Sequence, residues 1–101
     1  QSVLLVGREA AKAGDVRIVW VGAPGDAFGL RVDFWVVNGG GEELTVGAFL
    51  RTGEGQTTIT LPLDGDGRLR YRYELRRLGP QGEELVRLGE GESNLLVVQA
   101  A

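Results

Sequence analysis

The stretch from Arg68 to Arg77, Arg-Leu-Arg-Tyr-Arg-Tyr-Glu-Leu-Arg-Arg, constrains the fold of this chain more than any other. Leu69, Tyr71, Tyr73 and Leu75 fall on one side of a period-2 pattern. Arg68, Arg70, Arg72, Glu74 and Arg76 fall on the other. Successive side chains of a strand point to opposite faces, whereas a helix brings them round every ~3.6 residues. The stretch therefore predicts a half-buried β-strand, running to about Leu78, with an aromatic inner face and a cationic outer face.

The same period recurs along the chain. Asp15–Val21 places Val16, Ile18 and Trp20 on one face, with Arg17, Val19 and Val21 on the other. Leu30–Val37 places Leu30, Val32, Phe34 and Val36 inward, with Arg31, Asp33, Trp35 and Val37 outward. Further strands are expected at Val3–Val6, Leu44–Leu50, Thr57–Leu63, Glu83–Leu88 and Ser93–Gln99, with Gly89-Glu-Gly-Glu92 interrupting the chain before the last. Glu9–Gly14 has room for one helical turn but is too short for a stable helix. Between these segments lie Gly22–Asp26, Asn38-Gly-Gly-Gly41, Gly53-Glu-Gly55, Asp64-Gly-Asp-Gly67 and Gly79-Pro-Gln-Gly82, all with turn chemistry. Seven to eight short strands with a turn signal every ~8–12 residues predict an all-β, two-sheet antiparallel β-sandwich.

The chain has 101 residues, which suits one domain spanning 1–101. Cysteine and histidine are both absent, which excludes disulfides, thiolate sites and the commonest general base. The only serines are Ser2 and Ser93, and the only lysine is Lys12, so catalytic equipment is thin and no enzyme is expected. Glu42/Glu43 and Glu83/Glu84 are paired carboxylates, but they sit beside turn signals rather than in a pattern that points to acid–base work. Net charge is −3, which predicts no nucleic-acid partner. No apolar run is long enough for a membrane helix, and no cofactor is expected. Asp64-Gly-Asp66-Gly67 begins like a calcium loop, but Leu75 stands where the distal bidentate Glu should be, so it reads as a tight turn. Gln1 in place of Met fits a processed mature chain or an excised domain.

The order of signals resembles a fibronectin type III domain. Val16-x-Ile18-x-Trp20 followed by Pro24 matches its second strand and Pro-containing loop. Leu30, Val32 and Phe34 match the next strand. Leu61, Leu63, the Asp64–Gly67 loop and Tyr71 match the passage into the strand before last, and Gly82, Ser93, Val97 and Val98 match the end. The resemblance runs from about Val3 to Gln99 and implies a fibronectin type III-like, or related immunoglobulin-like, sandwich. It also implies that Leu30–Val37 lies beside Arg68–Leu78. Trp35, Arg31 and Asp33 would then share one sheet face with Arg70, Arg72, Glu74 and Arg76. Such an Arg/Trp ladder either covers the sheet or offers a binding surface, since Trp and Arg are enriched at interaction hot spots.

Val3–Val6 and Leu95–Val98 are apolar on both faces, unlike the middle strands, so something must cover their second face. The cover is either the Glu9–Gly14 or Glu83–Leu88 segment, or another subunit joined by strand addition. The resemblance implies a secreted or cell-surface module that acts as a spacer, adhesin unit or self-assembling subunit, with a protein partner or self-association through a sheet face or the terminal strands. The alternative is a carbohydrate-binding accessory module using Trp35.

Overall fold

A computed structural model describes residues 13–23 and 25–99, so the Val3–Val6 strand expected above lies outside the described residues, as does most of Glu9–Gly14. Seven strands follow in order: β1 (Ala13–Val21), β2 (Gly29–Val37), β3 (Glu43–Arg51), β4 (Gln56–Pro62), β5 (Tyr71–Gly79), β6 (Gly82–Gly91) and β7 (Leu95–Gln99). They form a three-stranded sheet in the order β4-β1-β7 and a four-stranded sheet in the order β3-β2-β5-β6. The protein is an all-β sandwich.

The alternation read from the sequence sets the faces. Val16, Ile18, Leu61, Leu96 and Val98 of the first sheet meet Leu30, Val32, Phe34, Val36, Leu50, Tyr71, Tyr73 and Leu75 of the second in one buried cluster. Phe34 is its aromatic centre, edge-on to Tyr71 at 5.2 Å and tilted to Tyr73 at 6.4 Å. Such contacts add about 0.5–1.5 kcal/mol each beyond area burial. The Tyr71 hydroxyl donates to the Ser93 carbonyl at 2.9 Å, tying β5 to the β6–β7 turn.

The β2–β3 hairpin closes as its sequence predicts. Asn38 Oδ1 accepts from the Gly40 and Glu42 amides at 2.9 and 3.0 Å. Gly41 adopts φ +85°, a region where a side chain would be strained.

Four features depart from the sequence reading. First, β5 starts at Tyr71, not Arg68. Asp64 closes the preceding loop: its carbonyl accepts from Gly67, its amide donates to Arg68, and its Oδ1 accepts from the Asp66 and Arg68 amides. Second, Gly89–Gly91 does not interrupt the chain; β6 runs through it, paired with Tyr73 and Tyr71. A Cβ at Gly89 would sit 2.6 Å from the Tyr73 hydroxyl, and one at Gly91 would sit 2.8 Å from the Tyr71 ring. These glycines are sockets for the tyrosine rings. Third, β6 is bulged: Leu75 pairs with Arg87 but Arg76 pairs with Leu85, leaving Val86 without a partner. One extra residue shifts the alternation. Fourth, β7 pairs with β1 in parallel, from Arg17↔Leu95 to Val21↔Gln99, while every other pairing is antiparallel.

Candidate interaction surfaces

β2 and β5 are neighbours, and their register sets the outer face of the four-stranded sheet: Arg31 opposite Arg76, Asp33 opposite Glu74, Trp35 opposite Arg72. Like charges directly across a pair of strands repel. The side chains resolve this along the strands and on the diagonal. Arg31 Nε lies 3.3 Å from Asp33, Arg76 Nη1 3.4 Å from Asp33 Oδ2, and Arg76 Nη2 2.7 Å from Glu74. Glu83 of β6 adds contacts of 3.5 Å to Arg31 and 3.9 Å to Arg76. Asp33 is 7% exposed beneath the two guanidinium groups, with Gly47 of β3 opposite it. A Cβ on Gly47 would reach 3.3 Å from Asp33 Oδ1, so the small residue leaves room for the buried carboxylate.

The other end of the face is looser. The Arg72 guanidinium stands 5.5 Å from the centre of the half-buried Trp35 ring, and its 3.9 Å contact with Glu43 joins two well-exposed side chains. Arg70 does not join the ladder. It precedes β5 and turns to the loop, 3.1 Å from Asp64 and 3.8 Å from Asp66. Trp35, Arg31, Asp33, Arg72 and Arg76 are therefore brought together on the sheet face, and Arg70, held by the Asp64 loop, lines one surface pocket with Trp35 and Arg72.

Different costs follow for the two ends. Asp33→Ala removes charge-assisted bonds from a buried site, worth about 1.5–3 kcal/mol. Arg72→Ala removes an exposed pair and an exposed stacking contact, about 1 kcal/mol together. Urea unfolding of the two variants should rank them in that order; equal losses would mean that the ladder does not act as a buried network.

In the Asp64 loop, the hydrogen bond from the Arg68 amide, supported by the Asp66 amide and the positive charge of Arg70, holds the Asp64 carboxyl below its ordinary range. A depressed folded pKa makes the stabilisation present above the unfolded value, and it is lost as pH falls through the folded one. Acidification below the ordinary carboxylate range should shift the Asp66 and Arg68 amide resonances together, and Asp64→Asn should remove that step. A flat titration would show that the charge does not hold the loop.

Sequence reasoning missed Leu85 and Leu88, which are 50% and 62% exposed on β6. They lie opposite Arg76 and Glu74, on the ladder face. The bulge at Val86 puts them there, and no local signal marks it. Phe49, opposite Arg31 on β3, closes its ring over Gly29, where a Cβ would lie 2.7 Å away.

The three-stranded sheet has a different outer face. Val19 stands beside Val97, and Arg17 beside Leu95. Leu95 and Val97 are 44% and 45% exposed, while their alternates Leu96 and Val98 are buried. Thr58 and Thr60 of β4 continue this face on the far side of β1. The run Leu95–Val98, apolar on both sides, thus buries one face, and among the described residues nothing covers the other.

No protein-family model and no curated protein matches the sequence. Among solved structures, one of pneumolysin at 1.98 Å resolution aligns with 86% of this chain and 20% of its own, at 16% identity and a TM-score of 0.35. The chain thus spans about a fifth of that protein, and a likeness at this level carries no functional argument.

Proposed function

We propose that this domain is a non-enzymatic structural and protein-interaction module, fibronectin type III-like, at a cell surface or secreted, and that it self-associates along β7. The observation that carries this reading is that, among the described residues, Leu95 and Val97 lie uncovered on a strand at the end of its sheet, beside the half-buried Val19 of β1. Apolar side chains grouped at a sheet edge favour association with another chain. The inward Val16/Ile18, Leu30/Val32/Phe34 and Tyr71 positions support the fibronectin-like comparison. The ladder face supports a different role: its charges near Asp33 are already paired with one another, so that end is a cover for the sheet. A carbohydrate platform is less well supported, because Arg72 stands over the ring of Trp35.

Sedimentation velocity across a wide concentration range tests the proposal. Reversible oligomers are expected, and Leu95→Glu with Val97→Glu should return the chain to monomer without loss of cooperative unfolding. A monomer at all concentrations would overturn self-association. Glycan-array binding abolished by Trp35→Ala would favour the carbohydrate reading instead.

A further inference from the structure

We propose that the acceptor edge is the far side of β7 and that its occupant is the Val3-Leu4-Leu5-Val6 run of a second copy of this chain, added as a strand. This rests on the self-association reading above. A run that is apolar on both faces needs a site that covers both. The natural place for a segment preceding β1 is beside β1, since consecutive strands usually pair. That place is filled. β4 lies along one edge of β1 and β7 along the other from Arg17 to Val21. Below β7 the same edge is closed by Asn94, whose carbonyl accepts from Arg17 N–H at 2.8 Å and whose Nδ2 donates to the Asp15 carbonyl at 2.7 Å.

Among the described residues, four strands form the edges of the two sheets. β3 is bounded by Glu43 and Arg51 and interrupted by Gly47. β6 carries Glu83, Glu84, Arg87 and Glu90 and a bulge. β4 is threonine-rich and ends in Pro62. Charges, bulges and proline are the usual means of keeping an edge from pairing. β7, Leu-Leu-Val-Val-Gln, has none of them within the strand. Two side chains cap its far edge: Ser93 Oγ accepts from Leu95 N–H at 3.0 Å, and Arg87 Nη2 donates to the Val97 carbonyl at 3.3 Å. Arg87 reaches there from β6, its guanidinium 5.3 Å from the Tyr73 ring, so one movable side chain spans the open side of the sandwich. A strand laid along β7 displaces that cap. Its outer residues extend the Leu95/Val97 strip, and its inner residues face the gap that Arg87 spans.

A second copy fits better than the same chain. Ala13 lines a groove with Gly39, Leu44, Pro62 and Leu63, on the β3–β4 side of the sandwich. The far edge of β7 lies on the β6 side. The described chain therefore enters β1 on the side of the molecule opposite the acceptor edge. Such a heterologous contact does not close on itself as a two-fold dimer, and it builds head-to-tail chains.

Two variants of the full chain test this. Leu4→Lys with Leu5→Lys disables the donor and leaves β7 intact. Val97→Pro disables the acceptor: Val97 turns its carbonyl away from β1 to Arg87, so its N–H faces the far edge, and proline removes that donor while leaving the apolar face. Each variant alone should sediment as monomer at concentrations where the parent forms oligomers, with at least a tenfold loss in association. Mixed together, they should form a one-to-one pair that grows no further, since one good donor and one good acceptor remain. If Val97→Pro loses cooperative unfolding, Val97→Lys replaces it with the same expectation. Oligomers that survive Leu4→Lys with Leu5→Lys would overturn strand addition while leaving self-association standing. Monomeric parent protein throughout would overturn both. Monomeric variants that fail to pair on mixing would show that the run serves its own chain.

Discussion

Gly89→Val should destabilise the domain by an amount near the top of the ~1–3 kcal/mol range typical of overpacking. Gly91→Val should do the same. The reason is steric. β6 lies beside β5 with Gly89 opposite Tyr73 and Gly91 opposite Tyr71. A Cβ at Gly89 would meet three atoms of the Tyr73 side chain within 2.8 Å, and a Cβ at Gly91 would meet three atoms of Tyr71 at the same distance. Neither tyrosine has room to retreat: both are buried, and both contact Phe34. Backbone strain is not the cause, since neither glycine has positive φ. A double-mutant cycle separates the two explanations. The Tyr73 hydroxyl is the atom nearest the new Cβ, so Tyr73→Phe should recover part of the loss caused by Gly89→Ala. Urea unfolding that shows full additivity would mean that the glycine matters for some reason other than the ring.

Phe34→Ala should cost about 3–5 kcal/mol, the range for removing a buried aromatic side chain. Phe34 has no exposed surface and holds both tyrosines in edge-on or tilted contact. Its loss leaves a cavity between Val32, Val36 and the tyrosine rings, on strands whose backbones are held by hydrogen bonds on both sides. β2 is flanked by β3 and β5 and cannot move inward to fill the space. Against a typical domain stability of ~5–15 kcal/mol, this change removes a large fraction. Thermal unfolding should show a lower midpoint. Near-ultraviolet circular dichroism should lose the tyrosine signal before the backbone signal changes. A variant with parental stability would show that Tyr71 and Tyr73 repack into the space and that the cluster is not centred on Phe34.

Much of the framework was open to inspection in the residue order. The inward set on β2, Leu30, Val32, Phe34 and Val36, is the set that is buried. The outward set on β1, Arg17, Val19 and Val21, carries none of the core. Asn38-Gly-Gly-Gly41 made its hairpin, and Pro80-Gln81 joins β5 to β6. These features depend on the chemistry of near neighbours along the chain. Alternation records which face of a strand avoids water, and turn residues record which backbone angles are accessible.

The candidate surfaces were only half legible. The register of β2 on β5 brings Arg31, Asp33, Trp35, Arg72 and Arg76 to one face, as the family resemblance implied. Arg70 departs because the Asp64 carboxylate competes for it just before the strand begins. Gly89 and Gly91 read as a break because glycine has low strand propensity; the tyrosines that require them lie on another strand. Leu85 and Leu88 reach the ladder face through a one-residue bulge, and a period-2 pattern inverts with a single added residue.

Residue order thus specified strand content, facing and turns, because each depends on contacts within a few residues. Three-dimensional pairing assigned the partners: β7 beside β1 in parallel, Asn94 closing the edge below it, and, among the described residues, an apolar strand at the end of its sheet. Edge and partner arise from contacts between residues far apart in the chain, and no local pattern encodes which of several apolar strands will stand at the end of a sheet.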